Sequence, residues 1–179
     1  VYIMPNGAGR SVTPSCVLIT DKDQLVGELA RAMAGNNLAN FVYDVKRLIG
    51  RQYRDKSVQE NMPNWPFKVV PAEDGRAAIE LGVESRGRKL VYLPEEISAI
   101  IIKSLKKQAE RYLCREVTDA VVTIPAHFNA DQRLATKKAF NLAGLRVIRL
   151  LPESTAAAIA YGLDTEHDLP NACNLLIFD

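Results

Sequence analysis

The chain has 179 residues, of which 47% are hydrophobic and 25% charged, and its formal net charge is +2. This balance is typical of a soluble globular protein with room for one substantial core or two small ones, and it excludes a disordered chain. Scattered basic residues and apolar runs shorter than the roughly 20 residues of a membrane-spanning helix indicate neither a nucleic-acid partner nor a membrane segment.

The amino-terminal part of the chain predicts short strands followed by a helix. Residues 1–4 and 15–19 are expected to form strands around a hairpin, since Asn6 and Gly7 are a strong turn pair. Residues 24–34 carry the apolar spacing of an amphipathic helix. The sequence contains neither the G-x-x-x-x-G-K-[ST] nor the G-x-G-x-x-G pattern, so we expect no Walker or Rossmann nucleotide loop in this chain.

Lys46 and Arg47 lie in the next stretch, VYDVKRLIGRQY. By themselves they are most simply the solvated end of a helix, because Lys and Arg are usually exposed. The runs FKVVP, AAIELGV and KLVYL then predict a small meander of strands separated by turns. Trp65 precedes the first of these runs, and we expect it to pack beneath the meander rather than to stack on a ligand.

The longest predicted helix starts at Pro94, where a proline followed by two glutamates is favourable in a first turn. Its buried stripe recurs at helical spacing, at Ile97, Ile100, Ile101 and Leu105. The lysines between these positions form the solvated face of the helix; they are Lys103, Lys106 and Lys107.

The carboxyl-terminal third predicts strands alternating with helices. Strands are expected at residues 121–124 and 146–151, and helices at residues 131–143 and 155–161. The run CNLLIFD at residues 173–179 would add a third strand. Connections of this length predict an α/β unit with a parallel sheet and right-handed crossovers.

Three residues follow or end these predicted strands: Pro125, Glu153 and Asp179. Ligands of open α/β sheets bind at the carboxyl ends of the strands, so these residues should border one crevice. Two carboxylates there suggest a hydrated magnesium ion with a phosphate-bearing ligand. The alternative for Glu153 is a simple favourable charge in the first turn of a helix.

The residue types that commonly bind metals give no site pattern. Cys16, Cys114 and Cys173 lie far apart without a C-x-x-C spacing, and His127 and His167 have no ligand partner at metal-site spacing. We therefore expect neither a zinc site nor a disulfide framework. Reducing surroundings fit best, so the cytoplasm is the expected location, with an organelle as the alternative.

A series of segments resembles the ATPase domain of the seventy-kilodalton heat-shock chaperone family. The segments are VYDVKRLIGR, NWPFKVV, PEEISA, AVVTIPAHFNADQRLATKKAFNLAGL, ESTAAAIAYGLD and LLIFD, in the family's order. The resemblance implies an actin-like, ribonuclease H-like α/β ATPase fold, represented by its first lobe. Residues 1–13 would be a strand and hairpin remnant of the base subdomain, residues 14–93 the small α+β subdomain, and residues 94–179 the βαβαβ part of the base.

The resemblance also implies a nucleotide site with ATP or ADP and magnesium. Lys46 matches the lysine that positions the attacking water and the γ-phosphate, with Arg47 beside it at the nucleotide. Glu153 matches the glutamate near the magnesium ion and its waters, and Asp179 matches the aspartate that helps to hold the hydrated magnesium. These matches favour electrostatic positioning of an in-line water attack over covalent catalysis.

A coupling role is implied for two further residues. Pro125 and Arg133 match the proline switch and the arginine that relay the nucleotide state to the peptide-binding domain. In the intact protein the resemblance implies unfolded peptides, J-domain co-chaperones and nucleotide exchange factors as partners, in a stress response. No nucleic acid or membrane partner is implied.

The family's two glycine-rich phosphate loops and its second lobe lie outside these 179 residues, so the isolated chain is expected to be inactive. The family's Asn-Glu-Pro-Thr reads Pro152-Glu153-Ser154-Thr155 in this sequence, and His127 stands where a tyrosine is usual. These departures support an alternative function, a non-hydrolysing module that binds co-chaperones or exchange factors. A sugar or acetate kinase of the same superfamily is disfavoured, because the segments match the chaperones in particular.

Overall fold

The computed structural model describes residues 2–35, 37–85, 88–162 and 176–177 of the chain. Asp179 and most of the predicted third strand of the carboxyl-terminal part lie outside these residues, and residues 176–177 are not in a strand. The described chain is a mixed α/β protein with small antiparallel sheets in its first half and a parallel strand pair in its second. No helix in these ranges is both long and apolar enough to cross a membrane.

The first sheet surrounds a fully buried strand. β1 (Cys16–Ile19) pairs in antiparallel fashion with β2 (Gln24–Val26) on one side and β3 (Phe41–Tyr43) on the other. Each residue of β1 is buried, which agrees with its uninterrupted apolar sequence CVLI. The strand predicted at residues 15–19 is therefore confirmed.

The structure differs from the prediction before and after β1. Residues 2–4 form no strand, and the Asn6 side-chain oxygen instead accepts the N–H groups of Ala8 and Arg10, both at 2.9 Å, which closes a local loop. In the predicted helix at residues 24–34, Gly27 adopts a φ of 68° and interrupts the helical conformation. The residues before Gly27 form β2, and the residues after it form the short helix α1 (Glu28–Met33).

The predicted meander is confirmed. Helix α2 (Lys56–Asn61) precedes β4 (Lys68–Pro71), β5 (Ala77–Ser85) and β6 (Arg88–Tyr92), which pair antiparallel in the order β4-β5-β6. Trp65 is buried and stacks on Phe67 with ring centroids 5.7 Å apart, as expected for a residue that packs beneath the sheet.

Helix α3 (Pro94–Leu113) packs against two of the three core clusters found among the described residues. Ile97 is fully buried in the cluster of the first half, and Ile102 packs against the cluster of the second half. The predicted stripe is wrong at Leu105, which is 39% exposed. The second cluster consists of Ile49, Ile124, Phe128, Ala135 and Ala139.

The second half alternates strands and helices as predicted, with β7 (Asp119–Ile124), α4 (Ala130–Leu142), β8 (Arg146–Pro152) and α5 (Glu153–Ala160). β7 and β8 are parallel, and Ile124 lies opposite Pro152 at their carboxyl ends. The two strands therefore end at the same level, and the residues that follow them meet at one edge of the sheet.

Candidate functional site

Lys46 lies on a short exposed turn that is held from both sides by the core. A 3-10 helix of one turn, Val45–Arg47, follows β3. The residue before it, Asp44, has a left-handed backbone conformation with a φ of 55°. Asp tolerates this conformation better than most residues that carry a side chain. Val45 and Leu48 are buried in the first core cluster, so the side chains of Lys46 and Arg47 point away from it.

Glu153 is the first residue of α5, directly after β8 ends at Pro152. Its carboxylate accepts a hydrogen bond from the Lys46 ammonium group, although the two residues are 107 positions apart in the sequence. The structure thus brings together two of the residues that were predicted to share one site. The Glu153 side chain is about a quarter exposed, so the ion pair remains accessible from solvent.

Pro125 and Arg133 belong to one hydrogen-bonded unit. Pro125 follows β7 at the same sheet edge as Glu153, and its carbonyl accepts the N–H of Phe128 at 3.1 Å. Arg133 donates from Nε to the carbonyl of Phe128 at 2.9 Å, which ties the first turn of α4 to that loop. The helix begins with a capping box in which the side chains of Asn129 and Gln132 each accept a backbone N–H of the other.

The remaining predicted residues are placed as follows. Arg47 Nε lies 3.4 Å from Asp44 Oδ2, and both side chains are exposed, so this pair contributes little to stability. Asp179 lies outside the described residues. Among the described residues, no group of three or more His, Cys, Asp or Glu side chains is arranged to hold a metal ion.

Two cavities border Lys46. The smaller, of about 450 Å³, is also lined by Arg47 and Pro125, with His127 and Phe128 beside them. The larger, of about 970 Å³, lies against the second core cluster and has a mainly apolar wall. Cys16 also lines the larger cavity, where burial raises the pKa of its thiol, although nearby Arg31 opposes that rise.

A buried charge cluster was not predicted from the sequence. Glu95 is 1% exposed, and its carboxylate accepts hydrogen bonds from Arg76 at 2.5 Å and from Lys138 at 3.3 Å. The cluster connects the turn before β5, the start of α3 and the middle of α4. No local sequence pattern indicates this charge cluster, because its three residues are far apart in the sequence.

The second half of the chain contains a further ion pair, at the amino ends of its two strands. Arg146 at the start of β8 donates from Nε to Asp119 at the start of β7, at 2.6 Å. This hydrogen bond lowers the pKa of the Asp119 carboxyl from its ordinary value. The pair joins the amino ends of the two strands, opposite the edge where Pro125 and Glu153 lie.

Comparison with known proteins identifies the family. A family model described as Hsp70 protein matches residues 1–179. The heat shock 70 kDa protein of Neurospora crassa is 49% identical over 177 residues, which are 99% of this chain and 27% of that protein. The heat shock cognate HSP70 protein of Trypanosoma brucei brucei is 46% identical across 100% of this chain and 26% of its own length.

A human relative, putative heat shock 70 kDa protein 7, is 45% identical across 100% of this chain and 47% of its own length. The chain thus spans between about a quarter and about half of the length of these curated relatives. Because the family model matches the chain from the first residue to the last, and identities near one half extend over the same length, the chain belongs to the Hsp70 family.

Proposed function

We propose that this chain is part of the ATPase domain of a heat-shock-type chaperone, which hydrolyses ATP to drive cycles of unfolded-peptide binding and release. The observation that carries the proposal is the ion pair between Lys46 and Glu153 at the carboxyl edge of β7 and β8, in a chain of the Hsp70 family. Ligands of α/β sheets bind at such an edge, where side chains of both charges can meet a metal-bound phosphate.

The residues at this edge suit a magnesium nucleotide. A cationic ammonium group and a partly exposed carboxylate lie side by side, one able to bind phosphate oxygens and the other able to bind the waters of a hydrated cation. When bound, magnesium would neutralise phosphate charge. Glu153 and Asp179 would hold it through water, and Arg47 would lie at the nucleotide.

Lys46 would act by position and charge. Its turn is anchored by buried neighbours, so its ammonium group is presented from a fixed backbone. In the proposed reaction it orients the attacking water and stabilises negative charge on the γ-phosphate as that charge develops. Without nucleotide it is neutralised by Glu153, so binding would exchange one carboxylate partner for phosphate oxygens.

Pro125 and Arg133 would transmit the nucleotide state. The hydrogen bonds that link Pro125, Phe128 and Arg133 support this role, because they join the sheet edge to the first turn of α4. A displacement of Pro125 would therefore change the position of the first turn of α4. The peptide-binding domain that receives the signal, J-domain co-chaperones and exchange factors belong to the intact protein of this proposal.

The proposal includes the architecture and location. The fold would be the actin-like ATPase fold, with residues 14–93 as the small subdomain of the first lobe and residues 1–13 and 94–179 in its base. The cytoplasm is the proposed compartment. The isolated chain would be inactive, because the family's two phosphate loops and second lobe contribute the rest of the nucleotide site.

The test is a calorimetric titration of magnesium-ATP into the 179-residue chain and into a chain extended at both ends to include both phosphate loops and the second lobe. We expect binding and slow phosphate release only from the extended chain. Lys46→Ala should lower the rate of phosphate release by about 100-fold or more, because it removes an electrostatic contact to the transferred group. Lys56→Ala is the matched control, since Lys56 is also an exposed lysine paired with a glutamate.

A failure of the extended chain to bind nucleotide would favour the alternative, a module that binds co-chaperones or exchange factors without turnover. Pro152 is the observation that favours this alternative. It ends β8 immediately before Glu153, and a proline at this position has no backbone N–H to offer to a phosphate or water.

A further inference from the structure

The loop of residues 6–13, named the Asn6 loop, is closed by hydrogen bonds to the Asn6 side chain. The side-chain oxygen accepts the N–H groups of Ala8 and Arg10, both at 2.9 Å. The side-chain nitrogen donates to the carbonyl oxygen of Val12, also at 2.9 Å. Because one primary amide makes all of these contacts, the conformation of the loop depends on that amide remaining intact.

The other contacts of the loop are weak or involve the same residue. Arg10 Nη1 lies 2.9 Å from Glu28 Oε1 of α1, but the Arg10 side chain is 68% exposed, so this ion pair contributes little to stability. Two backbone hydrogen bonds run from the Asn6 N–H to the Arg10 carbonyl at 2.7 Å and from the Gly9 N–H to the Asn6 carbonyl at 2.8 Å. Both involve Asn6, so a change in its covalent structure affects them directly.

The residue after Asn6 presents an unhindered backbone nitrogen. Gly7 is exposed, and a Cβ built on it would have no atom within 4 Å beyond its chain neighbours. Its N–H makes no hydrogen bond to another residue in the described part of the chain. Because glycine has no Cβ of its own, another group can approach its backbone closely. The Gly7 nitrogen is therefore free to approach the side-chain carbon of Asn6.

The two N–H groups that hold the Asn6 oxygen also favour attack on the side-chain carbon. Addition of a nucleophile to an amide carbonyl places negative charge on its oxygen, and hydrogen-bond donors that already face this oxygen stabilise that charge. The N–H groups of Ala8 and Arg10 are such donors, and the loop fixes them before any reaction begins. The conformation that closes the loop thus also favours a reaction that would open it.

We propose that Asn6 is a site of spontaneous deamidation, and that its conversion to aspartate or isoaspartate opens the Asn6 loop. The Gly7 nitrogen forms a bond to Cγ of Asn6, and the bond from Cγ to the side-chain nitrogen breaks. The proton that the Gly7 nitrogen loses leaves with the side-chain nitrogen as ammonia, and the product is a cyclic succinimide. Water then adds to one of the two ring carbonyls, which gives aspartate or isoaspartate.

Deamidation removes the donor that holds the end of the loop. A carboxylate oxygen in place of the amide nitrogen would face the carbonyl oxygen of Val12, and two acceptors at 2.9 Å repel each other. In isoaspartate the main chain passes through the side-chain carbons, which lengthens it by one methylene and displaces the hydrogen bonds of the Asn6 backbone. The inference goes beyond the proposed function, because the Asn6 loop contains neither Lys46 nor Glu153.

The test is peptide mapping by mass spectrometry after incubation of the folded 179-residue chain in mildly alkaline buffer. Trypsin cleaves after Arg10, and Asn6 is the single asparagine of residues 1–10, so the mass of this peptide reports on Asn6. We expect the peptide to gain the mass difference between an amide and an acid, and to divide into two chromatographic peaks for aspartate and isoaspartate. An unchanged peptide would overturn the proposal.

The matched variant is Gly7→Ala. The position has room for a methyl group and no positive φ, so the variant should fold as the parent chain does, which circular dichroism checks. We expect deamidation of Asn6 to be slower by about tenfold or more, because the added Cβ hinders the nitrogen of residue 7. Asn64 is the internal control, since it is exposed but followed by Trp65, and it should remain an amide. Equal rates in the parent and the variant would contradict the ring closure.

A comparison of the folded and unfolded chains separates the effect of the loop conformation from that of the sequence. The same incubation in guanidinium chloride gives the rate for the unfolded chain. We expect the folded chain to deamidate at Asn6 within about tenfold of that rate, because the loop supplies two donors to the developing charge. If Asn6 stays intact in the folded chain but deamidates in the unfolded one, the loop protects the amide and the proposal is wrong.

Amide hydrogen exchange tests the opening of the loop. The deamidated chain carries one additional negative charge, so ion exchange separates it from the parent chain. The N–H groups of Gly9 and Arg10 should exchange about tenfold faster or more after deamidation, since the loss of one or two hydrogen bonds lowers the cost of local opening. The Gly75 N–H, bonded to the Ala72 carbonyl at 2.9 Å in a separate turn, is the control. Unchanged exchange at Gly9 and Arg10 would show that deamidation leaves the loop closed, against the proposal.

Discussion

Glu95 illustrates how much a single residue can depend on distant partners. Its position in the first turn of α3 agrees with the general preference for acidic residues there. That preference predicts an exposed side chain, whereas Glu95 is the fully buried charged residue among those described. Arg76 and Lys138 neutralise it from two other elements. A local pattern in the sequence cannot reveal such a cluster, because the partners meet only through the tertiary fold.

We expect Glu95→Gln to lower the free energy of unfolding by about 2 kcal/mol, since it removes the buried charge that faces two cations. The value is smaller than for a fully enclosed pair, because Arg76 and Lys138 are partly exposed and can be solvated again. Urea unfolding at neutral pH measures the change. Glu116→Gln, at an exposed position, is the control and should cost less than about 0.5 kcal/mol. Equal midpoints for both variants would show that the cluster adds no stability.

For the individual helices and strands, the local sequence pattern is sufficient to predict most of the second half of the chain. The strands and helices between Pro94 and Ala160 follow from apolar periodicity and from helix-capping residues such as Asn129. The same periodicity fails at residues 24–34, because Gly27 has a positive φ and the edge of β1 offers a partner to the residues before it. Pairing with the adjacent strand β1 thus overrides the helical pattern.

The contact between the Gly50 backbone and α4 is specific enough to test. Gly50→Ala should reduce the free energy of unfolding by about 3 kcal/mol, because a methyl group there meets the backbone of Gln132 as well as an unfavourable φ. Gly144→Ala is the matched control. Gly144 has a similar φ of 75° but no atom within 4 Å of the added carbon, so only about 1 kcal/mol of backbone strain is expected.

Chemical denaturation followed by circular dichroism compares the two variants. If Gly50→Ala and Gly144→Ala have the same stability, the segment before Arg51 does not pack against α4 as closely as described.

At the scale of the whole molecule, the first and second core clusters are linked by neighbouring residues of the same segment. Leu48 belongs to the first cluster and Ile49 to the second. Helix α3 makes a second connection, with Ile97 in the first cluster and Ile102 against the second. The predicted boundary between two subdomains at residues 93 and 94 stays a prediction. Both core clusters contain residues from each side of this boundary.

This sharing predicts one cooperative unfolding transition. The fluorescence of Trp65, the single tryptophan, reports the first cluster, and far-ultraviolet circular dichroism reports the helices. We expect the two transitions to coincide, and Ile49→Ala to shift both together by about 3 kcal/mol through loss of buried volume. Ile148→Ala, at a position 65% exposed, is the control. If only the circular dichroism transition moved in Ile49→Ala, the two clusters would unfold independently.

The candidate site could be predicted only in part, and for a physical reason. Apolar periodicity placed Pro125 and Glu153 after parallel strands, which was sufficient to bring them to one edge. Apolar periodicity gave no information on Lys46, whose stretch is basic and apolar without a clear period. That Lys46 shares one site with Glu153 was expected from the family resemblance alone, and their ion pair was not predicted.

The way in which the Lys46 turn is anchored affects how long its ion pair with Glu153 can persist. Its turn is rooted in the first core cluster through Val45 and Leu48, whereas Glu153 stands at the end of β8 in the second half. A charge contact of this kind survives only while the two anchors keep their spacing, since the attraction between charges in water weakens quickly with distance. The ion pair therefore depends on the distance between the Lys46 turn and the start of α5. It is present when these two elements are close and is lost when they separate by a few ångströms.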